Sequence, residues 1–257
     1  MSAIARRILM PFARLVWPDA CVACGTCEPT QEGFCQRCSR DLLSLASLRW
    51  CRRCGSTVGA GLKAQDRCPS CPEVAFRFER TVRVAPYADP LAPAIRAMKY
   101  SRFGAGATHL AALLAEAAAT ACAGIALDVV MPVPMYWLRR IARGGNHSDT
   151  LARAVARRLG LPVGRELRRV RNTPPQARLA ASQRSQNVRG AFAVSRPAGV
   201  EGAAVVLVDD ILTTGATANE AARTLLAAGA RRVVVAVLAR AEAPTAYSAA
   251  LAQGGGR

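Results

Sequence analysis

Val205-Val-Leu-Val-Asp209-Asp210-Ile-Leu-Thr213-Thr214-Gly215-Ala216-Thr217 is an apolar run, then two adjacent acids, then a small-residue turn that opens a helical stretch. A continuous apolar run of this length suits a parallel strand covered on both faces. Open α/β sheets bind ligands outside the carboxyl ends of their strands, where the two acids and the turn fall. The turn Thr213 to Thr217 can aim several backbone N–H groups and hydroxyls at one phosphate, aided by the positive end of the following helix dipole. Gly215 permits a close approach of ligand to backbone. Adjacent carboxylates repel a phosphate, but they can accept hydrogen bonds from the vicinal hydroxyls of a ribose that the phosphate anchors. The segment therefore describes a site for a ribose 5-phosphate. An ordinary strand leading to a helix capped by Thr213 or Thr214 needs neither the doubled acids nor T-T-G-A-T.

Outward from this segment, the chain past Cys71 alternates helical and β-branched stretches, the signature of an α/β domain with a mainly parallel sheet. Strands are expected over Thr81 to Tyr87, the run LDVVMPVP, the vicinity of Pro162 to Leu167, Ala204 to Asp209 and Arg232 to Leu238. Helices are expected over Pro90 to Tyr100, Ala105 to Ala123, Ser148 to Leu159 and Thr217 to Ala228. The polar stretch Asn172 to Arg189 has no apolar periodicity and reads as a long loop, which in a compact domain is usually functional. The expected division is 1–78 for an N-terminal module, 79–245 for the α/β domain and 246–257 for a disordered tail.

The N-terminal module is defined by sulfur. Nine of the ten cysteines fall within the first 71 residues, and eight of them form the pairs Cys21/Cys24, Cys35/Cys38, Cys51/Cys54 and Cys68/Cys71. A C-x-x-C turn points two sulfurs at one ion, and two such turns complete the tetrahedral shell of structural Zn²⁺. Sequential pairing gives two ribbons; interleaved pairing satisfies the spacing equally, and Cys27 competes with Cys24 at the first site. Gly25 and Gly55 suit the tight turn of a zinc knuckle. Such closed sites have no open position for catalysis, so their first purpose is to stabilise a small domain. Arg37, Arg40, Arg49, Arg52 and Arg53 around the knuckles suit docking to nucleic acid as well. Residues Arg6 to Trp17 space Ile8, Leu9, Phe12, Leu15 and Val16 along one helical face, which suits packing on the ribbons or on a partner.

The formal charge is +18, and Arg139 to Arg189 holds thirteen arginines against Asp149 and Glu166. Two zinc tetrathiolates would lower the total to roughly +14. The surface suits polyanions or anionic small substrates. Because only Lys63 and Lys99 are lysines, an arginine-rich coding bias accounts for the charge equally well. Arg14 interrupts the first apolar stretch before a secretion signal is complete. The run Ala105 to Leu127 carries His109 and Glu116, which argues for a buried or amphipathic helix and against a membrane span. A cytoplasmic protein is expected.

The Val205–Thr217 segment closely resembles the signature of type I phosphoribosyltransferases for phosphoribosyl pyrophosphate (PRPP). Its surroundings resemble the ComF family of competence-associated proteins: the cysteine pairs, MKYSRFG with Lys99, the PVPM strand followed by RRIARGGNHSDTLA, and RNTPPQARLAASQRSQNVRGAF. The resemblance spans nearly the whole chain. It implies a type I phosphoribosyltransferase fold with a double zinc ribbon, PRPP bound with Mg²⁺, and a nitrogen acceptor that displaces pyrophosphate. It assigns the ribose hydroxyls to Asp209 and Asp210 and the 5-phosphate to Thr213, Thr214, Gly215, Ala216 and Thr217. Arg139, Arg140, Arg143 and Asn146 lie where the pyrophosphate loop is expected, and Thr173, Gln176, Arg184, Asn187 and Arg189 belong to the candidate lid. The family commonly has an aromatic residue and Gln where this chain has Gly145 and His147. Transferases of 6-oxopurines place an acid where Thr213 stands, so hypoxanthine and guanine are disfavoured. The hood over an acceptor is expected from the ribbons and the strand around Tyr87. The resemblance also implies a part in DNA uptake and natural transformation, with a DNA translocase or helicase as partner. The competing reading is a factor that binds single-stranded DNA and whose PRPP site is regulatory or idle.

Overall fold

The computed structural model describes residues 20–30, 33–59, 68–72, 75–100, 106–136, 146–174 and 183–242. The expected helix over Arg6 to Trp17 and the expected tail lie outside them.

Four strands form one parallel sheet in the order β1-β6-β5-β2. They are β1 (Arg80–Pro86), β2 (Val129–Pro132), β5 (Ala204–Leu212) and β6 (Arg232–Arg240). Both faces of the sheet are covered, which is why β5 and β6 run through Val, Leu and Ala without polar alternation, while β1 buries Thr81 and Arg83 among its apolar residues. Val206 and Val208 join one buried cluster with Val82, Val234 and Leu238. Val205 and Leu207 join the opposite cluster with Val233, Val235 and Val237.

The first face is covered by α1 (Gln36–Ala46), α2 (Leu91–Tyr100), α3 (Ala107–Ala121) and α4 (His147–Leu159). The second is covered by α6 (Ala216–Ala227) and by the antiparallel pair β3 (Leu167–Arg169) and β4 (Phe192–Val194). Helix α1 was not expected from sequence. It begins inside the second cysteine pair and buries Cys38, Leu42 and Leu45, the i, i+4, i+7 stripe of an amphipathic helix.

Two expectations require correction. The stretch Asn172 to Arg189 is not loop throughout, because α5 (Gln183–Val188) is helical. Its polar residues give no periodicity, and Val188, 1% exposed, is its one buried side chain. The strand expected near Pro162 to Leu167 is reduced to a single bridge from Val163 to Val130, and regular pairing starts at Leu167 against Val194. Its partner β4 is too short to leave a pattern. Among the described residues no helix is long and apolar enough to cross a membrane.

Candidate functional site

The carboxyl end of β5 delivers Asp209, Asp210, Ile211 and Leu212 to a cavity of about 570 Å³, within the range of small-ligand sites. The turn after it supplies Thr213, Gly215, Ala216 and Thr217, and Tyr87, Asn146, His147, Ser148 and Arg184 also line the space. Gly215 is the N-cap of α6 with a φ of 82°, a left-handed conformation that a side chain would strain. Thr214 does not line the cavity; its hydroxyl faces the N–H of Ala216 at 3.4 Å.

The two acids are unlike each other. Lys99 Nζ lies 2.9 Å from Asp210 Oδ2, and each of these side chains is 21% exposed. Asp209 Oδ1 accepts from the Ser148 hydroxyl at 3.2 Å and from the Asp210 N–H at 2.9 Å. Burial first, and then the neighbouring Asp210 charge, push the Asp209 carboxyl up to about 7, against the opposing pull of the Asp210 N–H, Lys99 and Ser148. Near neutral pH the Asp209 carboxyl is therefore poised to gain or lose a proton, next to the Lys99–Asp210 pair.

The candidates for the pyrophosphate loop and lid separate. Asn146 and Arg184 line the cavity. Asn146 Nδ2 is placed by Val133 O at 3.3 Å and Asp149 Oδ1 at 3.4 Å. Thr173 is 3% exposed and accepts from Arg169. Asn187 ties α5 to Pro174 O at 3.1 Å, and the carbonyl of Arg189 accepts from Arg171. Thr173, Asn187 and Arg189 thus brace the segment without lining the cavity. Arg139, Arg140, Arg143 and Gln176 lie outside the described residues.

Of the charged and hydroxyl residues lining the cavity, Arg96, Ser148 and Arg169 were not singled out from sequence, and Lys99 entered only through the MKYSRFG stretch. The i, i+3 spacing of Arg96 and Lys99 on α2 was the available signal, since it puts two cations on one helical face. The buried Nε2 of His147 has no hydrogen-bond partner among the described residues.

The eight paired cysteines gather as Cys21, Cys24, Cys35 and Cys38, and as Cys51, Cys54, Cys68 and Cys71, each set with its sulfurs within 4.8 Å of one another. Pairing is sequential, and Cys27 is exposed and outside the first set. An ion about 2.3 Å from four tetrahedral sulfurs separates them by roughly 3.8 Å. Cys51–Cys71 and Cys68–Cys71 are both 3.7 Å apart, and Cys24–Cys35 is 4.0 Å. Cys54–Cys68, at 3.3 Å, is the tightest of these pairs. Burial and the Cys54 charge push the Cys71 thiol up to about 11, a penalty that a dication removes. Both sets fit structural zinc.

Two family models match this chain: the Phosphoribosyl transferase domain over residues 141–252 and the Double zinc ribbon domain over residues 12–73. The chain is 35% identical to DNA utilization protein YhgH of Salmonella typhi over 81% of its own length and 90% of that protein's. It is 33% identical to Competence protein F of Haemophilus influenzae over 86% of its own length and 96% of that protein's. This chain belongs to the ComF family. The match leaves little of either relative uncovered, and the ComF chain itself carries both the zinc module and the phosphoribosyltransferase domain. Among solved structures, the ComF chain is similar to the allosteric regulatory enzyme of purine biosynthesis. That similarity is at 25% identity with a TM-score of 0.37, over 52% of this chain and 26% of that one. The fold of the ComF chain is thus a type I phosphoribosyltransferase domain joined to a double zinc ribbon.

Proposed function

We propose that the α/β domain binds PRPP with Mg²⁺ and transfers its ribose 5-phosphate to a nitrogen acceptor. The observation that carries this reading is the placement of Asp209, Asp210 and the Thr213–Thr217 turn on one cavity at the carboxyl end of β5. Asp209 and Asp210 accept from the ribose hydroxyls, and the N–H groups of the turn receive the 5-phosphate. Mg²⁺ would be held mostly by PRPP and its waters and would offset charge on the pyrophosphate leaving group.

Ribose hydroxyls that donate to Asp210 compete with Lys99 for the same carboxylate, leaving the lysine free to face the anionic ligand. Arg96 and Arg184 also line the cavity and can share the leaving-group charge. Residues Asn172 to Arg189 form the lid in this reading, excluding water that would hydrolyse the activated sugar. A second cavity, lined by Asp41, Leu45, Tyr87, Asp89 and Arg96, has Tyr87 and Arg96 in common with the first, and in this reading its residues belong to the hood over the acceptor. In this reading residues 1–78 form the metal module and hood, and 79–245 the transferase domain.

Calorimetric titration of Mg²⁺ and PRPP into the zinc-loaded protein tests the site. Binding is expected for the natural chain and lost in the variant carrying Asp209→Asn and Asp210→Asn. Absence of binding by the folded natural chain would overturn the proposal.

A second reading is favoured by the exposed Arg37, Arg40, Arg52 and Arg53 on the ribbons: a single-stranded DNA surface serving DNA uptake beside a DNA translocase. Fluorescence anisotropy with a labelled oligonucleotide would then give salt-sensitive binding that survives the Asp209/Asp210 changes. The relatives' names, a competence protein and a DNA utilization protein, support a role in DNA handling.

A further inference from the structure

The second ribbon touches the phosphate turn from two directions. Its first knuckle is fastened to β1: Thr81 N–H donates to Arg52 O at 2.6 Å, and the Thr81 hydroxyl donates to Arg53 O at 2.9 Å. A Cβ on Gly55, directly after Cys54, would lie 2.8 Å from Thr81 Cγ2 and 3.6 Å from Arg240 Cδ, so the arginine stem passes over the knuckle. Arg240 is 8% exposed and donates to Leu212 O at 3.0 Å. The N–H of Ala241 reaches the same carbonyl at 2.9 Å. Leu212 is the last residue before the turn, so the knuckle, Arg240 and the turn form one continuous stack.

The other direction runs through Phe76. Its ring packs against Cys51, Cys54 and Cys68 and stacks on Phe78 with centroids 4.5 Å apart. The edge of that ring fills the space where a side chain of Gly215 would be, since a Cβ there would sit 2.6 Å from Cε1 and 2.8 Å from Cζ. The next residue, Arg77, donates its N–H to Asn219 Oδ1 at 2.6 Å, in the first turn of α6.

Charge points the same way. Arg83 is 1% exposed and Arg240 8%, and the Nε of each has no hydrogen-bond partner among the described residues. Glu242 is bound to Arg83 at 2.7 Å and to the N–H and hydroxyl of Thr57. Arg83 thus has the Glu242 carboxylate as its partner, while the Arg240 side chain donates to the Leu212 carbonyl. A zinc tetrathiolate on Cys51, Cys54, Cys68 and Cys71 would carry a net charge of about −2 next to the Gly55 knuckle over which the Arg240 stem passes. Burial of a cation is tolerated only with such compensation.

We infer that the second zinc ribbon is the buttress of the phosphate turn, with Phe76 and Arg240 as positioning residues, so that an intact Cys51/Cys54/Cys68/Cys71 centre is required for tight binding of a phosphorylated ligand at Thr213–Thr217. The inference rests on the proposed function for the identity of that ligand, but not for the coupling between ribbon and turn.

The test is native-state hydrogen exchange of the full-length zinc-loaded chain, read at Asn219 and Ala241, whose N–H groups are held by Gly215 O and Leu212 O. Four variants are compared with the natural chain: Phe76→Ala, Cys68→Ser with Cys71→Ser, Cys35→Ser with Cys38→Ser, and Phe76→Leu. In the first two, both amides are expected to exchange at least about tenfold faster while Val206 to Val208 stay protected. The first-ribbon variant is expected to leave them unchanged, and Phe76→Leu to restore most of the protection. Phe76→Ala keeps all eight ligands and decides the matter if the second-ribbon variant does not fold. Unchanged exchange in Phe76→Ala, or equal loosening by the first-ribbon variant, overturns the inference. Calorimetry with PRPP on the same samples should show at least about tenfold weaker binding for Phe76→Ala. If the natural chain itself binds no PRPP, the proposed function fails, and the exchange data still decide the coupling.

Discussion

Replacing Asp209 with Asn removes a charge that the fold resists while keeping the shape that the fold uses. The Asn carbonyl can still accept from Ser148 and from the Asp210 N–H, the two bonds that Asp209 Oδ1 receives. The carboxyl is raised from 3.8 to about 7, so its ionisation costs the folded chain at most about 4 kcal/mol relative to the unfolded one. The sign follows from linkage. Between these two values the folded chain keeps a proton that the unfolded chain releases, so the stability contributed by Asp209 is present below pH 3.8 and lost as pH rises through about 7. Asn does not titrate, and its advantage should grow across that window and level off above it. Relaxation around a half-buried site reduces the gain to about 2 kcal/mol at pH 8, or roughly 4–8 °C in Tm for a domain of this size. Urea and thermal unfolding of both zinc-loaded proteins at pH 5.5 and 8 check this. An Asn variant whose advantage does not increase from pH 5.5 to 8, or that is less stable at pH 8, would refute the reasoning. The same variant is expected to lose PRPP binding, so that stability and function move in opposite directions.

Lys99→Met removes the cation beside Asp210 and one of the influences that hold the Asp209 value down. PRPP affinity measured from pH 6 to 9 should fall, and its pH midpoint should move upward; an unmoved midpoint would separate Lys99 from the acid pair. Arg83→Met strands Glu242, 5% exposed, without its cation, and is expected to cost about 3–5 kcal/mol in urea unfolding; a loss under about 1 kcal/mol would mean that water reaches the pair. Gly215→Ala meets both a φ of 82° and the Phe76 ring. The backbone strain alone is worth about 1–2 kcal/mol, and calorimetry should find PRPP binding lost while zinc content, measured by metal analysis, stays unchanged.

The amino-acid sequence by itself determined the local chemistry of this protein. The apolar run, the paired acids and the T-T-G-A-T turn occupy consecutive residues, so one strand and one helix start suffice to bring them together. The C-x-x-C turns are equally local, since each knuckle is set by four residues. Both features stayed legible because their geometry depends on backbone conformations that short segments choose alone. Helix α5 did not, because polar residues around the single buried Val188 leave no pattern. Nor did sequential zinc pairing, the Lys99–Asp210 bridge or the Arg83–Glu242 pair. These belong to the tertiary structure. The sheet order β1-β6-β5-β2 places the first strand beside the last, and that last strand beside the strand bearing the acids. The ribbon entering β1, the residues leaving β6 and the turn leaving β5 therefore become neighbours. No local preference encodes that adjacency, because it comes from burying both faces of one sheet at once.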